Sequence, residues 1–302
     1  KSKDSTQNKK DKKLKKSSSK NGYPLVIRNL ENDKEDTIPF VTNYTFAKEK
    51  MILSYITTGI KDSIKSGVYV KNLKSNNTKQ VFESHNKTKY FKLNLSHSGD
   101  NLAFVIDADS TKTYNRPYEL YTWNSSLNNA KLVLDKDSSP KGYRVSSDGE
   151  IKFSKDESKL YFGLALPEII QDTLLLDEEI VNVEVWTYDE PRLYTIQEKQ
   201  VKNDRRKSFQ TVFHLKDSKL IQIATEEFPN ALLSNEGNGD YALISNPEPY
   251  QLSSQWTALF SMNDLAIKNI NNGDSKIIIK SNPSTARFSP EGEYAFGYNQ
   301  VD

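Results

Sequence analysis

The side chains of this sequence most suited to binding chemistry form a run of three carboxylates, Asp177, Glu178 and Glu179. Adjacent carboxylates are costly to bury unless they meet a cation, so a partly buried pair is suited to hold the free amine of a substrate. The alternative is that the run is the solvated end of a helix. We predict Glu178 and Glu179 as amine-binding residues, with the solvated alternative open.

The motifs of common catalytic and metal sites are missing from the sequence. It has no cysteine and only three histidines, His85, His97 and His214, which share no spacing typical of a metal site or a triad. It also lacks a Gly-x-Ser-x-Gly elbow, a phosphate-binding glycine loop and a His-Glu-x-x-His motif. We predict no catalytic residue, metal or cofactor in this chain, and structural or surface roles for the histidines.

Three polar runs are predicted to be surface features. Residues 135–139, Asp-Lys-Asp-Ser-Ser, begin like a calcium loop but lack its later glycine and acidic residue. Residues 146–149, Ser-Ser-Asp-Gly, resemble a sialidase Asp box without its spacing or its aromatic residue. Both runs predict turns. Residues 205–207, Arg-Arg-Lys, predict an exposed charge run that pairs with acidic neighbours.

The net charge of +2 is unevenly distributed. The first 20 residues hold nine lysines and two aspartates, which leaves 33 basic against 38 acidic residues in the remainder. Because a Lys/Ser-rich segment cannot bury enough surface to offset its ordering entropy, residues 1–22 are predicted to be a disordered tail or linker. Its charge would suit nucleic acid or an anionic surface. We favour a solvated spacer, and no nucleic-acid partner, because the remaining chain is acidic.

The start of the chain and its hydropathy bear on its location. No apolar run approaches the roughly 18 residues of a membrane span, and the chain begins with neither a signal peptide nor methionine. We therefore expect that an upstream signal or anchor has been removed, and that any membrane contact is made through it. The absence of cysteine suits a bacterial periplasm or surface as well as a cytosol.

A strand–turn–strand pattern recurs from Tyr23 onward. In ARFSPEGEYAFGY, an apolar strand leads into a polar turn and a second apolar strand follows. Ser or Pro opens such a turn, Asp or Glu bonds back to its backbone, and Gly accepts a positive φ. The pattern predicts hairpins within residues 41–57, 92–106, 151–163, 231–245 and 286–298.

The spacing of these hairpins predicts the fold. They recur about every 50 to 80 residues, with room for two more short strands in each interval, as in a β-propeller. We predict an all-β fold, a β-propeller of four-stranded antiparallel blades over residues 23–302, incomplete in this chain at about four and a half blades. The third unit holds an inserted excursion at about 166–208, whose residues 191–207 form a short helix or an extended arm. Such an insertion usually serves a neighbouring domain or a site.

The repeat Phe-Ser-Pro-Glu-Gly-Glu-Tyr-Ala-Phe and its copies resemble the propeller repeats of the prolyl oligopeptidase family of serine peptidases, and more loosely those of TolB-type propellers. Residues 142–168, GYRVSSDGEIKFSKDESKLYFGLALPE, and 174–191, LLLDEEIVNVEVWTYDEP, resemble the secreted, dipeptidyl-peptidase-like members from Bacteroidetes-type bacteria. The resemblance extends from about Tyr23 to Asp302. In that family an N-terminal propeller caps a C-terminal α/β-hydrolase domain and restricts entry to small or unfolded peptides.

The resemblance implies a function for this chain. Dipeptidyl peptidases bind the substrate N terminus with a pair of glutamates on a propeller excursion, and Glu178 and Glu179 occupy a similar place in chain order. The chain would be the gating and substrate-positioning part of a periplasmic or secreted serine peptidase. Its partners would be a peptide substrate and a hydrolase domain beyond Asp302, which carries the catalytic residues. The alternative is a non-catalytic, TolB-like propeller that binds protein or glycan.

Overall fold

The computed structural model describes residues 16–60, 63–84, 88–111, 113–168, 187, 190–257 and 262–298. These residues form four antiparallel sheets of four or five strands and a final hairpin, in chain order. The first sheet contains β1 (Tyr23–Arg28), β2 (Glu35–Phe46), β3 (Ile52–Thr57), β4 (Gly67–Asn72) and β5 (Asn77–Glu83). The second contains β6 (Lys89–Leu95), β7 (Asn101–Asp107), β8 (Glu119–Asn124) and β9 (Lys131–Leu134).

The later sheets repeat this order. The third contains β10 (Arg144–Val145), β11 (Lys152–Phe153), β12 (Lys159–Ala165), β13 (Phe209–His214) and β14 (Lys219–Gln222), with β10 and β11 both paired to β12. The fourth contains β15 (Asn230–Leu233), β16 (Tyr241–Asn246), β17 (Asn263–Asn269) and β18 (Ser275–Asn282). The hairpin pairs β19 (Ala286–Phe288) with β20 (Ala295–Gly297). We call the four sheets blades 1 to 4.

Two α-helices lie in the described parts of the connections between strands. Helix α1 (Tyr194–Arg205) connects β12 to β13, and α2 (Gln251–Thr257) connects β16 to β17. Neither helix has a sufficiently long apolar stretch to cross a lipid bilayer, and no other helix in the described part of the chain does.

Strand β7 of blade 2 and strand β12 of blade 3 are buried on both faces. Every residue of β12 is buried, as is every residue of β7 after Asn101. Side chains of a strand point alternately to its two faces, so each of these sheets must be covered on both sides. This explains why both strands are nearly continuous apolar runs and lack the alternation of a half-exposed strand.

The apolar clusters lie between consecutive blades. Ile56 and Val68 of blade 1 pack with Leu102 and Phe104 of blade 2. Equivalent clusters join blade 2 to blade 3 and blade 3 to blade 4. Such face-to-face packing of consecutive antiparallel sheets is the architecture of a β-propeller. The predicted all-β propeller class is therefore confirmed.

Inner strands of blades 1, 2 and 3 lie beside one another. Strand β6 contacts both β2 and β11. Since the other strands follow in order across each sheet, the first strands lie innermost, towards the axis about which the blades are arranged. The split first strand of blade 3, β10 and β11, is part of this inner layer.

Blade 1 differs from the predicted four-stranded unit because β1 and the start of β2 fold over its face. Lys71 and Phe46 lie at the same level of the sheet, because both pair with Leu53 of the strand between them. If β2 were straight, the ten residues from Asp36 to Phe46 would span about 33 Å. Yet Lys71 Nζ lies 2.6 Å from Asp36 Oδ2. The chain turns back at Phe40, where φ is +53°, and the returning hairpin covers Leu53 and its neighbours.

The hairpins predicted from the repeat are all present, and the four later copies are joined by turns at residues 96–100, 154–158, 234–240 and 289–294. The segment 191–207, predicted as a short helix or an arm, contains α1. Of the predicted tail, residues 1–15 lie outside the described residues, and residues 16–22 include a turn in which Gly22 N donates to Ser18 O at 2.7 Å.

Candidate functional site

The propeller has two unlike ends. The turns between β2 and β3, β6 and β7, β11 and β12, and β15 and β16 lie at one end, which we call the turn face. The next connection of each blade lies at the other end, which we call the loop face, because successive strands of a meander reverse direction. The loop-face connections of blades 2, 3 and 4 span residues 108–118, 166–208 and 247–262. Long connections at one end favour that end for binding.

On the turn face, polar contacts join blades 1, 2 and 3. Lys50 Nζ of blade 1 lies 2.5 Å from Asp100 Oδ2 of blade 2. The carboxylate of Glu157 in blade 3 accepts hydrogen bonds from Ser98 N at 2.6 Å and Ser98 Oγ at 2.8 Å, and a third from Asn101 Nδ2 at 3.0 Å. Each of these side chains belongs to a repeat turn or follows it directly, so the repeat supplies the contacts between blades.

The turns of blades 3 and 4 are joined in the same way. Asp156 N donates to Asn238 Oδ1 at 2.9 Å, and Lys159 Nζ donates to Asn238 O at 2.8 Å. The buried Tyr161 hydroxyl donates to Gly237 O at 2.7 Å. The polar residues of the repeat therefore build turns, as the sequence predicted, and they also connect blades.

These contacts set the charge state of Glu157. Burial raises the pKa of its carboxyl, but the hydrogen bonds from Ser98 and Asn101 stabilise the charged form, and the pKa lies below its ordinary value. The same opposition holds the pKa of the neighbouring Asp156 low, where Ser154 and Ser158 donate to the carboxylate. Both carboxylates are thus charged at neutral pH and act as acceptors.

On the loop face, the residues before α1 in blade 3 form hydrogen bonds with α2 of blade 4. Leu193 N donates to Gln255 Oε1 at 3.0 Å, and Gln255 Nε2 donates to Pro191 O at 2.8 Å. Arg192 lies two residues before the helix and bonds Asp204 near its end, at 2.9 Å between Nη2 and Oδ2. Helix α1 buries none of its residues, so polar contacts position it over this face.

Between blades 2 and 3, the loop face holds two arginines. Arg116 forms a two-pronged ion pair with the buried Asp107, with Nε and Nη2 each 2.8 Å from a carboxylate oxygen. Its remaining terminal nitrogen, Nη1, donates to Thr111 O at 2.5 Å. Each nitrogen of the Arg116 guanidinium therefore has an acceptor, and these contacts hold residues 109 and 111 to the end of β7.

The second arginine, Arg144, begins the inner strand β10. Its guanidinium carbon lies 5.2 Å from the ring centroid of Tyr118, and its Nη2 lies 3.3 Å from Glu168 Oε1. Antiparallel pairing of Arg144 with Ala165 brings Glu168, three residues beyond, to the same edge. Glu168 is held there by Asn115 of blade 2, whose Oδ1 accepts from Glu168 N at 2.6 Å.

The structure places the sequence-predicted residues as follows. Glu178 and Glu179 lie outside the described residues, as does His85. His214 Nε2 lies 2.8 Å from Ile270 O, between blades 3 and 4, in the structural role expected of it. The carbonyl of His97 accepts from Lys48 N and Glu49 N in the turn face.

The polar runs are turns, as predicted. Asp135 Oδ1 accepts from Asp137 N and from Ser138 N, which closes the turn at 135–139. The buried Ser146 side chain accepts from the backbone of residues 148 and 149.

The basic run pairs with acidic neighbours, as predicted. Arg206 Nε lies 3.7 Å from Asp148 Oδ1, and Lys207 Nζ lies 3.1 Å from Glu248 Oε1.

Sequence reasoning did not single out Arg144 or Glu168, although both lie in the stretch 142–168. Their separation of 24 residues has no periodic meaning, and only the β10–β12 register brings them together. Within the described part of the chain, no cluster of three or more His, Asp or Glu side chains is arranged to hold a metal ion. The described side chains of the loop face offer hydrogen bonds and ion pairs.

Comparison with known proteins gives structural likenesses. No protein-family model matches the sequence, and no curated protein is significantly similar to it. The chain is similar to the beta-propeller domain of the Trilobed protease from Pyrococcus furiosus, with 14% identity over 87% of this chain and 66% of that chain and a TM-score of 0.43.

Two further solved structures are similar to the chain. TolB from Acinetobacter baumannii is 12% identical over 90% of this chain and 53% of that chain, with a TM-score of 0.36. Pyrococcus horikoshii acylaminoacyl peptidase is 14% identical over 86% of this chain and 38% of that chain, with a TM-score of 0.39. The chain therefore spans less than two thirds of each of the three. Its propeller class rests on the order of its own sheets and the packing between them.

Proposed function

We propose that this chain is the gating and substrate-positioning propeller of a periplasmic or secreted serine peptidase. Peptides would approach the loop face, and a hydrolase domain elsewhere in the full protein would cleave them by attack of an activated serine. The observation that carries this proposal is the asymmetry of the two ends. Turns connected to one another cover one end, whereas long connections with α1 and α2 cover the other.

The excursion of blade 3 is the element best placed to serve substrates. Its α1 end is tied to blade 4 through Gln255, and its first residues are tied to blade 2 through Asn115 and Glu168. A connection fixed at both ends to neighbouring blades can hold a binding group at a defined position. In this proposal Glu178 and Glu179, on the same excursion, bind the free N terminus of the peptide.

Binding of peptides to the 302-residue chain tests this function. Isothermal titration calorimetry would compare a dipeptide amide that has a free N terminus with the same peptide N-acetylated. We expect binding of the free amine only, and a loss of about tenfold to a hundredfold in the variant Glu178→Gln/Glu179→Gln, since a charged hydrogen-bonded pair contributes about 1.5–3 kcal/mol.

The control for that variant is the exposed pair Glu226 and Glu227, between blades 3 and 4. Glu226→Gln/Glu227→Gln removes the same charge and should leave affinity unchanged. Equal binding of free and acetylated peptides, or equal losses in both double variants, would exclude the amine site. If the full-length gene encodes no Gly-x-Ser-x-Gly motif after this region, the proposed peptidase function is excluded.

The alternative proposal is a propeller of TolB type that binds protein or glycan without catalysis. The observation that favours it is that described loop-face side chains, among them Arg144 and Glu168, are suited to hydrogen bonds and ion pairs with a ligand. A glycan or protein ligand would bind whether or not a free amine is present, so the same titration, made with both peptide forms, separates the alternatives.

A further inference from the structure

Arg144 is a mostly buried cation whose N–H donors outnumber the hydrogen-bond acceptors that the described residues place around it. Its side chain is 14% exposed. A guanidinium has five N–H donors, and among the described residues only Glu168 accepts from it, at a single distance of 3.3 Å. The Nε of Arg144 is buried and has no hydrogen-bond partner there. A buried charge is costly unless it is paired and hydrogen-bonded. The Arg144 guanidinium therefore has N–H donors that further acceptors would stabilise.

The neighbouring Arg116 shows what full bonding looks like in this region. Its guanidinium pairs with both oxygens of Asp107 at 2.8 Å and with the carbonyls of residues 109 and 111 at 2.6 and 2.5 Å. Its side chain is 17% exposed, almost as buried as that of Arg144. The two arginines thus differ in bonding and not in burial.

Glu168 does not provide the missing acceptors. Its 3.3 Å contact with Arg144 is longer than the usual 2.7–2.9 Å of a charge-assisted bond, and its side chain is 53% exposed. Its backbone is fixed separately, by both polar groups of the Asn115 side chain. The Glu168 carboxylate can therefore move into solvent while its backbone stays in place.

We propose that Arg144 binds a carboxylate of a peptide ligand at the loop face, and that Glu168 occupies this position when no ligand is present. A carboxylate is planar and accepts two parallel N–H donors of a guanidinium. Contact with the Tyr118 ring holds the guanidinium in place. A doubly charged anion fits less well, because the carboxylates of residues 107, 109 and 168 outnumber the two arginines.

This inference rests on the proposed function only for the peptide nature of the ligand. It concerns the opposite terminus from the one assigned to Glu178 and Glu179, so the two can fail separately. The probe is N-acetyl-dialanine, which has a free carboxylate and no amine, compared with its C-terminal amide. An N-acetylated peptide amide with one glutamate side chain tests whether the carboxylate must be terminal.

Calorimetry on the 302-residue chain should show that the acid binds at least about tenfold more tightly than the amide, since only the acid supplies a charged bidentate acceptor. Arg144→Lys should weaken binding of the acid about tenfold, because an ammonium cannot form the two-pronged pair. Glu168→Gln should strengthen it, because the competing charge is removed. Binding of the glutamate peptide as well would assign the site to peptide carboxylates in general.

Arg28→Lys is the control, because Arg28 also pairs with a carboxylate, that of Asp33, but lies in blade 1. It should leave the affinity for the acid unchanged, and it should alter the melting temperature little because both side chains are exposed. Equal binding of acid and amide, no binding of either, or equal affinities in wild type and Arg144→Lys would overturn the proposal. Weaker binding in Glu168→Gln would contradict the displacement of Glu168. If free-amine peptide amides still bind, only the Arg144 assignment has failed.

Discussion

Glu157 joins blade 3 to blade 2 from a backbone conformation that suits glycine. Its φ is +58°, at the turn position where Gly99 and Gly292 have φ of +80° and +78°. A left-handed conformation costs a non-glycine residue about 1–2 kcal/mol. Since its carboxylate accepts three hydrogen bonds from blade 2, we predict that the side chain more than offsets this strain.

The expected loss follows from those three bonds. A hydrogen bond to a charged group contributes about 1.5–3 kcal/mol, but three bonds that share one partly exposed carboxylate do not add fully. We expect Glu157→Ala to lower the free energy of unfolding by about 2–3 kcal/mol. Glu157→Gly loses the same bonds but relieves the backbone, so its loss should be about 1 kcal/mol smaller.

Urea denaturation followed by circular dichroism measures both variants. A lower midpoint with an unchanged slope reports a change in stability alone. The control is Glu150→Ala, in the same blade, because Glu150 is exposed and has no hydrogen bond or ion pair among the described residues. If Glu157→Gly is as stable as wild type or more stable, the carboxylate does not outweigh the backbone strain, and an unchanged midpoint in Glu157→Ala would mean that it does not hold the blades together.

Three further predictions concern the same packing. Because the pKa of Glu157 is lowered, its contribution to stability is present above the unfolded pKa near 4.5 and is lost as the pH falls through the folded pKa. Between about pH 6 and pH 3 the melting temperature should therefore fall more steeply for wild type than for Glu157→Gln. Parallel pH profiles of the two proteins would contradict this. Phe104→Ala removes a fully buried ring between blades 1 and 2 and should cost about 3–5 kcal/mol in urea denaturation, whereas a loss below about 1 kcal/mol would mean that the blades do not pack there. Gly149→Ala would place a methyl group 2.7 Å from the Gly163 Cα atom and should lower stability by about 1–3 kcal/mol by the same assay; an unchanged midpoint would show that this contact can relax.

Much of the fold could be predicted from the sequence because its signals are local. The hairpin of residues 151–163 needs apolar residues on both sides of a polar turn, and the structure has β11 and β12 there. The structural role of His214 followed from its position in an apolar strand. In each case, residues close in the chain determine the outcome.

Features that depend on distant residues could not be predicted in this way. The fold-back at Phe40 needs a positive φ at a phenylalanine, which no local preference favours. The positive φ of Glu157 is stabilised by blade 2, 56 or more positions earlier in the sequence. The ion pair of Lys71 with Asp36 exists only because the first hairpin returns over blade 1.

The candidate site divides in the same manner. The sequence pointed to the excursion of blade 3, and Glu178 and Glu179 remain a prediction made from it. It gave no sign of Arg144, because the lack of acceptors at a buried guanidinium is a property of the packed structure. Binding groups are recognised from the sequence when they are adjacent, and from the structure when β-strand pairing brings them together.

The sequence by itself determined the repeat, its hairpins and the all-β class, because turn chemistry and apolar alternation act over a few residues. The tertiary structure decided which polar residues join blades, which arginine is fully bonded, and which end of the propeller carries the long connections. Those properties arise from the packing of whole sheets, in which the partner of a side chain is often 50 or more positions away. The carboxylates of the repeat thus hold the turn face together, and the loop face holds the groups available to a ligand.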